Sequence, residues 1–172
     1  FGQLFLFADK VRAAGCAHLI VHARKARLNW SPKDNRDRLG LDYDVVYRLK
    51  KSFPDMPVSV NGNVLSVNDI EKHLNHVDGV MIGRWAYGNP YALCEIDRLF
   101  FKDTHAVLKR STILKQMMPY LSDHSEALSV ILPHLAVLFH ACPAAKTYRQ
   151  LLSARDLGAL AAFADEAEKN GF

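Results

Sequence analysis

Residues 17–26 read AHLIVHARKA. Their first half is apolar and β-rich, and their second half turns abruptly basic. This predicts a buried strand over 17–22 that ends at His22 and leaves into a charged connection. The same plan recurs twice downstream. MPVSVNG (56–62) predicts a strand over 57–61 that runs into Asn61-Gly62-Asn63, and VDGVMIGR (77–84) predicts one over 79–82 that runs into Gly83-Arg84.

Helical patterns separate these runs. LDYDVVYRLKKSF (41–53) places Val45, Val46, Leu49 and Phe53 on one face, with Asp42 and Asp44 at its start and Lys50 and Lys51 near its end. That polarity complements the helix dipole. SVNDIEKHLNH (66–76) offers Ser66 as an N-cap, with Asp69 three residues on in the manner of a capping box. Upstream, FGQLFLFADKVRAAG (1–15) is helical in period, with Gly15 as its stop. NPYALCEIDRLFF (89–101) is a further helix that carries Pro90 early, where a helix tolerates it.

Residues 1–101 therefore read α-β-α-β-α-β-α, an α/β pattern that implies parallel strand pairing. Three strands form either a small open sheet or the last three β/α units of a TIM (β/α)8 barrel. From about residue 104 the strand signals stop. HAVLKRSTILKQMMPYL (105–121), EALSVILPHLAVLFHAC (126–142), AAKTYRQLLSA (144–154) and LGALAAFADEAEKN (157–170) read as an all-α helical bundle, with Pro133 bending or splitting the second helix. The boundary falls near 102–106. Met117, Met118, Tyr120 and Tyr148 read as packing residues.

The chain has 172 residues and a formal net charge of +4, which is mildly basic. Cys16, Cys94 and Cys142 lie far apart and show neither metal-ligand spacing nor a disulfide framework, so a reduced, cytoplasmic setting is expected. No apolar run reaches the length of a membrane span, and no signal peptide is visible. The chain opens with Phe1 inside a helical pattern, so an N-terminal part is expected to precede it.

Ligands of parallel α/β folds gather at the carboxyl ends of the strands. Here those ends carry His22, then Asn61, Gly62 and Asn63, then Gly83 and Arg84. Histidine can hydrogen-bond a ring or a phosphate, or simply finish a strand. The Asn-Gly-Asn run supplies unobstructed backbone N–H groups for an anion, or forms a tight turn. Arg84 after Gly83 can clamp a phosphate or pair with a surface carboxylate. Together, on consecutive strand ends, they suggest a phosphorylated cofactor.

The connection 23–41 is long for a βα loop. Between 24 and 38 it holds Arg24, Lys25, Arg27, Lys33, Arg36 and Arg38 against Asp34 and Asp37, an excess equal to the whole chain's +4. It reads either as a solvated basic loop or as a polyanion contact. Lys146 and Arg149, three apart on a helix, share a face. His134 and His140 read as ordinary helix histidines, so no metal is expected.

Six segments in order, AGCAHLIVHARKA, SPKDNR, LDYDVVYRLKKSFP, VNGN, HVDGVMIGRWAYGNPYAL and LFHACPAAKTYRQLLS, resemble the C-terminal half of tRNA-dihydrouridine synthases of the A subfamily. The resemblance runs from about residue 15 to 153. It implies an FMN-binding (β/α) barrel whose C-terminal part is residues 1–103, followed by a helical tRNA-binding domain over 104–172. In that family NADPH reduces FMN, the flavin passes a hydride to C6 of a D-loop uridine, and a loop cysteine protonates C5, typically at tRNA positions 20 and 20a.

Carried over position by position, the resemblance implies FMN contacts at His22, Asn61, Gly62, Asn63, Gly83 and Arg84. It implies tRNA contacts at Lys33, Arg36, Lys146 and Arg149. Asn63 stands where the family has a second glycine, Lys146 where it has an arginine, and Arg38-Leu39-Gly40 where an Ile-Pro-Pro-like run is usual. The catalytic cysteine belongs to the family's N-terminal part, and none of Cys16, Cys94 and Cys142 stands at its position. The resemblance therefore implies an enzyme fragment that is inactive by itself, or a non-catalytic tRNA-binding remnant.

Overall fold

The structure, a computed structural model, describes residues 2–172. The part of the first-helix expectation that falls on Phe1 lies outside them. The chain forms two compact units, one ending at Trp85 and the other spanning Ala86–Phe172.

The first unit is α/β. Helix α1 (Gly2–Ala13) stops at Gly15, whose φ of +92° is the left-handed geometry that glycine takes freely. Strands β1 (Leu19–His22), β2 (Val58–Asn61) and β3 (Gly79–Met81) form a parallel sheet in the order β1-β2-β3. Between β1 and β2 lie α2 (Pro32–Arg38) and α3 (Tyr43–Ser52), and between β2 and β3 lies α4 (Val67–Leu74). The N-cap read at Ser66 forms, and Asp42, read as an acidic residue at a helix start, is an N-cap as well. Asp42 accepts from the Val45 N–H at 3.2 Å, and Ser66 accepts from the Asp69 N–H at 3.1 Å.

Side chains alternate across the sheet. Val21, Val58, Val60 and Val80 face a core with Val46, Tyr43 and Tyr47, while Ala8, Leu49, Phe53 and Met56 form an adjoining cluster. The opposite face carries the rows Ile20–Ser59–Gly79 and His22–Asn61–Met81. Gly79 has a steric reason, since a Cβ there would lie 2.3 Å from Ser59 Oγ, which is itself 2.8 Å from His18 Nε2.

Two expectations are corrected here. β1 starts at Leu19 rather than at residue 17 and is not buried, because helices cover only one of its faces and Ile20 is 55% exposed on the other. Only β2, in the centre, is buried on both faces. The 23–41 connection is also not a plain loop, because it contains α2.

The second unit is helical. The short α5 (Arg84–Gly88) leads into it, followed by a 3-10 turn at Pro90–Ala92 and α6 (Leu93–Phe100). Then come α7 (Arg110–Asp123), α8 (Leu128–Leu135), α9 (Ala145–Ala154) and α10 (Leu157–Lys169). Leu114, Leu121, Leu132, Phe139, Tyr148, Leu152, Leu160 and Ala164 form its core. Tyr148 is fully buried and donates to the Leu135 carbonyl at 3.1 Å, and its burial pushes its pKa up. Tyr120, in contrast, is 47% exposed and stacks on His124, so it is not a packing residue.

α7 begins five residues later than its periodicity predicts. Asp103 accepts from the His105 N–H at 2.9 Å, a local bond that competes with helix there. Pro133 lies inside α8, which ends two residues later, and 136–142 are turns rather than helix. The compact units divide after Trp85, whereas the sequence reading places the boundary near 102–106, after the helix that follows the last strand. Residues 86–101 group with the helical unit because Tyr91 donates to the Leu108 carbonyl at 2.8 Å and Arg110 lies 3.7 Å over its ring.

Candidate functional site

The sheet register brings the strand ends level, with His22 beside Asn61 and Asn61 beside Met81. A cavity of about 220 Å³ opens there. His22, Asn61, Gly62, Asn63, Gly83 and Arg84 all line it, so the structure gathers in one place every strand-end residue named from the sequence. Arg24 and Arg36 join them, with Val64, Leu65 and Met81, and no carboxylate is among the lining residues. Three arginines among the lining residues of one small concavity favour an anion there.

The turn after β2 is tightly specified. Gly62 has φ +131°, and a Cβ there would meet Leu41 Cδ2 at 2.7 Å and His22 Cε1 at 3.3 Å. Its carbonyl accepts from the Tyr43 hydroxyl at 2.7 Å. Asn63 follows in the left-handed region at φ +51°, a conformation asparagine tolerates better than most residues. Its Oδ1 accepts from Arg84 Nη2 at 3.1 Å, a contact glycine could not make. At Gly83, by contrast, an added Cβ would meet nothing within 4 Å.

Tyr43 is held from behind. Its ring packs 4.4 Å from the buried His73, whose Nδ1 lies 2.7 Å from the Tyr47 hydroxyl. Burial pushes the His73 pKa down, which favours the neutral ring, and its Nδ1 shares a hydrogen bond with the Tyr47 hydroxyl. Burial, and then the charge of Asp69, push the Tyr43 pKa up, so its hydroxyl keeps the proton it donates to Gly62.

Most of the basic connection is engaged internally. Arg24 Nη1 donates to the carbonyls of Asn35, at 3.0 Å, and of Arg36 and Leu39, which closes the C-terminal end of α2. Ser31 caps the other end, accepting from the Asp34 N–H at 3.1 Å. Asn35 ties the preceding turn by accepting from the Arg27 N–H at 2.7 Å and donating to the Arg27 carbonyl at 2.9 Å. Arg27 and Arg38 lie over Trp30, at 4.6 and 5.7 Å from the ring centre. Arg36 pairs with Asp37 at 3.0 Å and reaches the cavity, while Lys33 stands exposed on α2 without an ion pair among the described residues.

Lys146 and Arg149 are both exposed on α9, in the second unit. Arg149 lines a separate cavity there; Lys146 does not. His134 bonds the Tyr87 hydroxyl at 3.1 Å and His140 is exposed. Among the described residues no group of three metal-ligating side chains comes together, the three cysteines are free, and no helix is long and apolar enough to cross a membrane.

Sequence reasoning missed Arg24 as a cap, Tyr43 as a support, and α2. The signal for α2 was present as Ser31-Pro32 followed by Asp34, an N-cap with proline at the first helical position. It was masked because Pro32–Arg38 contains no apolar periodicity.

A cationic cavity without a carboxylate, at the carboxyl ends of parallel strands, defines an α/β protein with a site suited to an anion. More specifically, the chain belongs to the dihydrouridine synthase family: residues 2–167 match the family described as Dihydrouridine synthase (Dus). It is similar to the tRNA-dihydrouridine(20/20a) synthase of Shewanella oneidensis, with 41% identity over 169 residues that cover 96% of this chain and 47% of that protein. The Synechocystis enzyme of the same name is 42% identical over 157 residues, covering 89% and 47%. That of Vibrio cholerae is 42% identical over 150 residues, covering 85% and 46%. The chain thus spans about half the length of these relatives.

Proposed function

We propose that this chain is the part of a tRNA-dihydrouridine synthase that holds the phosphate end of FMN and grips tRNA. In this reading residues 1–103 are the last three β/α units of a TIM (β/α)8 barrel, and 104–172 are a helical tRNA-binding domain. The observation that carries it is the single cavity lined by His22, Asn61, Gly62, Asn63, Gly83 and Arg84 with no carboxylate.

The residues suit the group. Arg84 is a permanent cation, and the adjoining Gly83 leaves open space where a side chain would stand. The volume of about 220 Å³ is below the roughly 300–1,000 Å³ that encloses a whole drug-sized ligand, so it matches one end of a flavin nucleotide. When bound, FMN reduced by NADPH supplies the hydride for a D-loop uridine. His22 and Asn61 would contact the cofactor from the strand ends, and Asn63 holds Arg84 toward the cavity. Lys33 and Arg36 on α2, with Lys146 and Arg149 on α9, would contact tRNA phosphates. The relatives' names point to positions 20 and 20a as the uridines.

No cysteine lines the cavity, so the proton for uridine C5 would not come from Cys16, Cys94 or Cys142. The 172-residue chain with FMN, NADPH and tRNA is therefore expected to form no dihydrouridine. Titration with FMN, followed by flavin fluorescence, tests the cofactor reading. Binding weakened at least tenfold by Arg84→Ala supports it; equal binding in both proteins counts against it. Dihydrouridine formed by the chain alone would overturn the division of roles.

A further inference from the structure

We infer that Arg149 and Arg155 form a two-arginine subsite for a single RNA phosphate on the helical unit, over an apolar floor that takes the adjoining ribose. The inference rests on the tRNA reading above and adds to it Arg155, a residue to which neither the motifs nor the family resemblance assigns a role.

Both residues line one cavity of about 440 Å³. Its floor is Leu128, Leu132 and Leu152, all buried. No carboxylate is among its lining residues, and the nearest in sequence, Asp156, is engaged in capping α10 by accepting from the Ala159 N–H at 2.9 Å. Neither arginine has an ion pair among the described residues. A low-dielectric floor beside two unpaired guanidinium groups strengthens their pull on a phosphate.

The backbone supplies a second, independent observation. Arg155 is the C-cap of α9 and sits in the left-handed region at φ +56°. Glycine is the usual residue in that geometry, and a residue with a Cβ is strained there. Residues six apart on a continuous helix point about 240° from each other. The left-handed cap breaks that spacing, and both residues border the same cavity. The chain thus carries a long cation at a position whose backbone suits glycine.

The test uses the 172-residue chain with its Arg155→Gly and Arg155→Lys variants. tRNA affinity is measured across a salt series, and stability by urea unfolding. Arg155→Gly is expected to raise the urea midpoint while weakening tRNA binding about three- to tenfold. It should also reduce the slope of log affinity against log salt by about 0.7–0.9, the loss of one phosphate contact. Arg155→Lys, which keeps the charge without the fork, is expected to fall between. Unchanged affinity and slope in Arg155→Gly, or a lowered midpoint, would overturn the subsite while leaving the tRNA reading standing. No tRNA binding by the unaltered chain at low salt would overturn both.

Discussion

Arg84 Nη2 donates to Asn63 Oδ1 at 3.1 Å, which joins the turn after β2 to the turn after β3 through side chains. The sheet alone does not make this connection, because both residues lie beyond the last ladder pair, Asn61–Met81. Asn63 also accepts a left-handed backbone at φ +51°. The two roles separate by substitution. Asn63→Ala loses the contact and the tolerance for that backbone, so about 1–2 kcal/mol of stability is expected to go. Asn63→Gly loses only the contact and is expected to stay within about 0.5 kcal/mol. Equal losses in urea unfolding would show that the hydrogen bond, not the backbone, dominates.

Gly79 and Ser59 are steric partners across β2 and β3. Gly79→Ala drives a Cβ to 2.3 Å from Ser59 Oγ and is expected to cost about 1–3 kcal/mol. Ser59→Ala removes the obstructing oxygen along with its bond to His18, at about 1 kcal/mol. The double variant should be more stable than the sum of the single losses predicts, by about 1 kcal/mol or more. Strictly additive losses in a double-mutant cycle would contradict the clash.

Arg24 is a structural cation. Arg24→Met keeps much of the side-chain stem and removes the donors to the Asn35, Arg36 and Leu39 carbonyls. Residues 32–39 are expected to lose hydrogen-exchange protection, with a stability loss of about 1.5–3 kcal/mol. Unchanged exchange over those residues would show that α2 stands without the cap.

His73 makes stability depend on pH. Its folded pKa is pushed below the ordinary 6.5 by burial. As pH falls through the unfolded value the unfolded chain takes up a proton that the folded chain does not, so stability declines from about pH 7 downward until the folded pKa is passed. His73→Gln keeps a hydrogen-bonding group for Tyr47 and removes this titration. The urea midpoint of the unaltered chain should fall more steeply between pH 7.5 and 5.5 than that of the variant. Parallel profiles would assign the pH dependence to other groups.

The strand ends were legible before the fold because each follows an apolar run of the right length and breaks into a residue type that strands avoid. Asn61-Gly62-Asn63 and Gly83-Arg84 needed only that local contrast. The exposure of β1 was not legible, because an apolar run such as Leu19-Ile20-Val21 looks the same whether one face or both are covered. Ile20 is exposed because the helices of the first unit pack on the other face, which is a property of where α1 and α3 lie.

The sequence by itself determined the order of the three strands and of the helices around them other than α2, the helix cap at Ser66, the three strand ends and the family. Each is written in residues close together along the chain, where propensity and hydrogen bonding act locally. Only the tertiary structure decided what each cation does. Arg24 is spent on the carbonyls of α2, and Arg27 and Arg38 lie over Trp30, while Lys25 and Lys33 project without an ion pair among the described residues. The physical reason is that an arginine and its acceptor meet where the backbone brings them. Arg24 and Leu39 are fifteen residues apart, and the fold, not charge counting, sets that encounter.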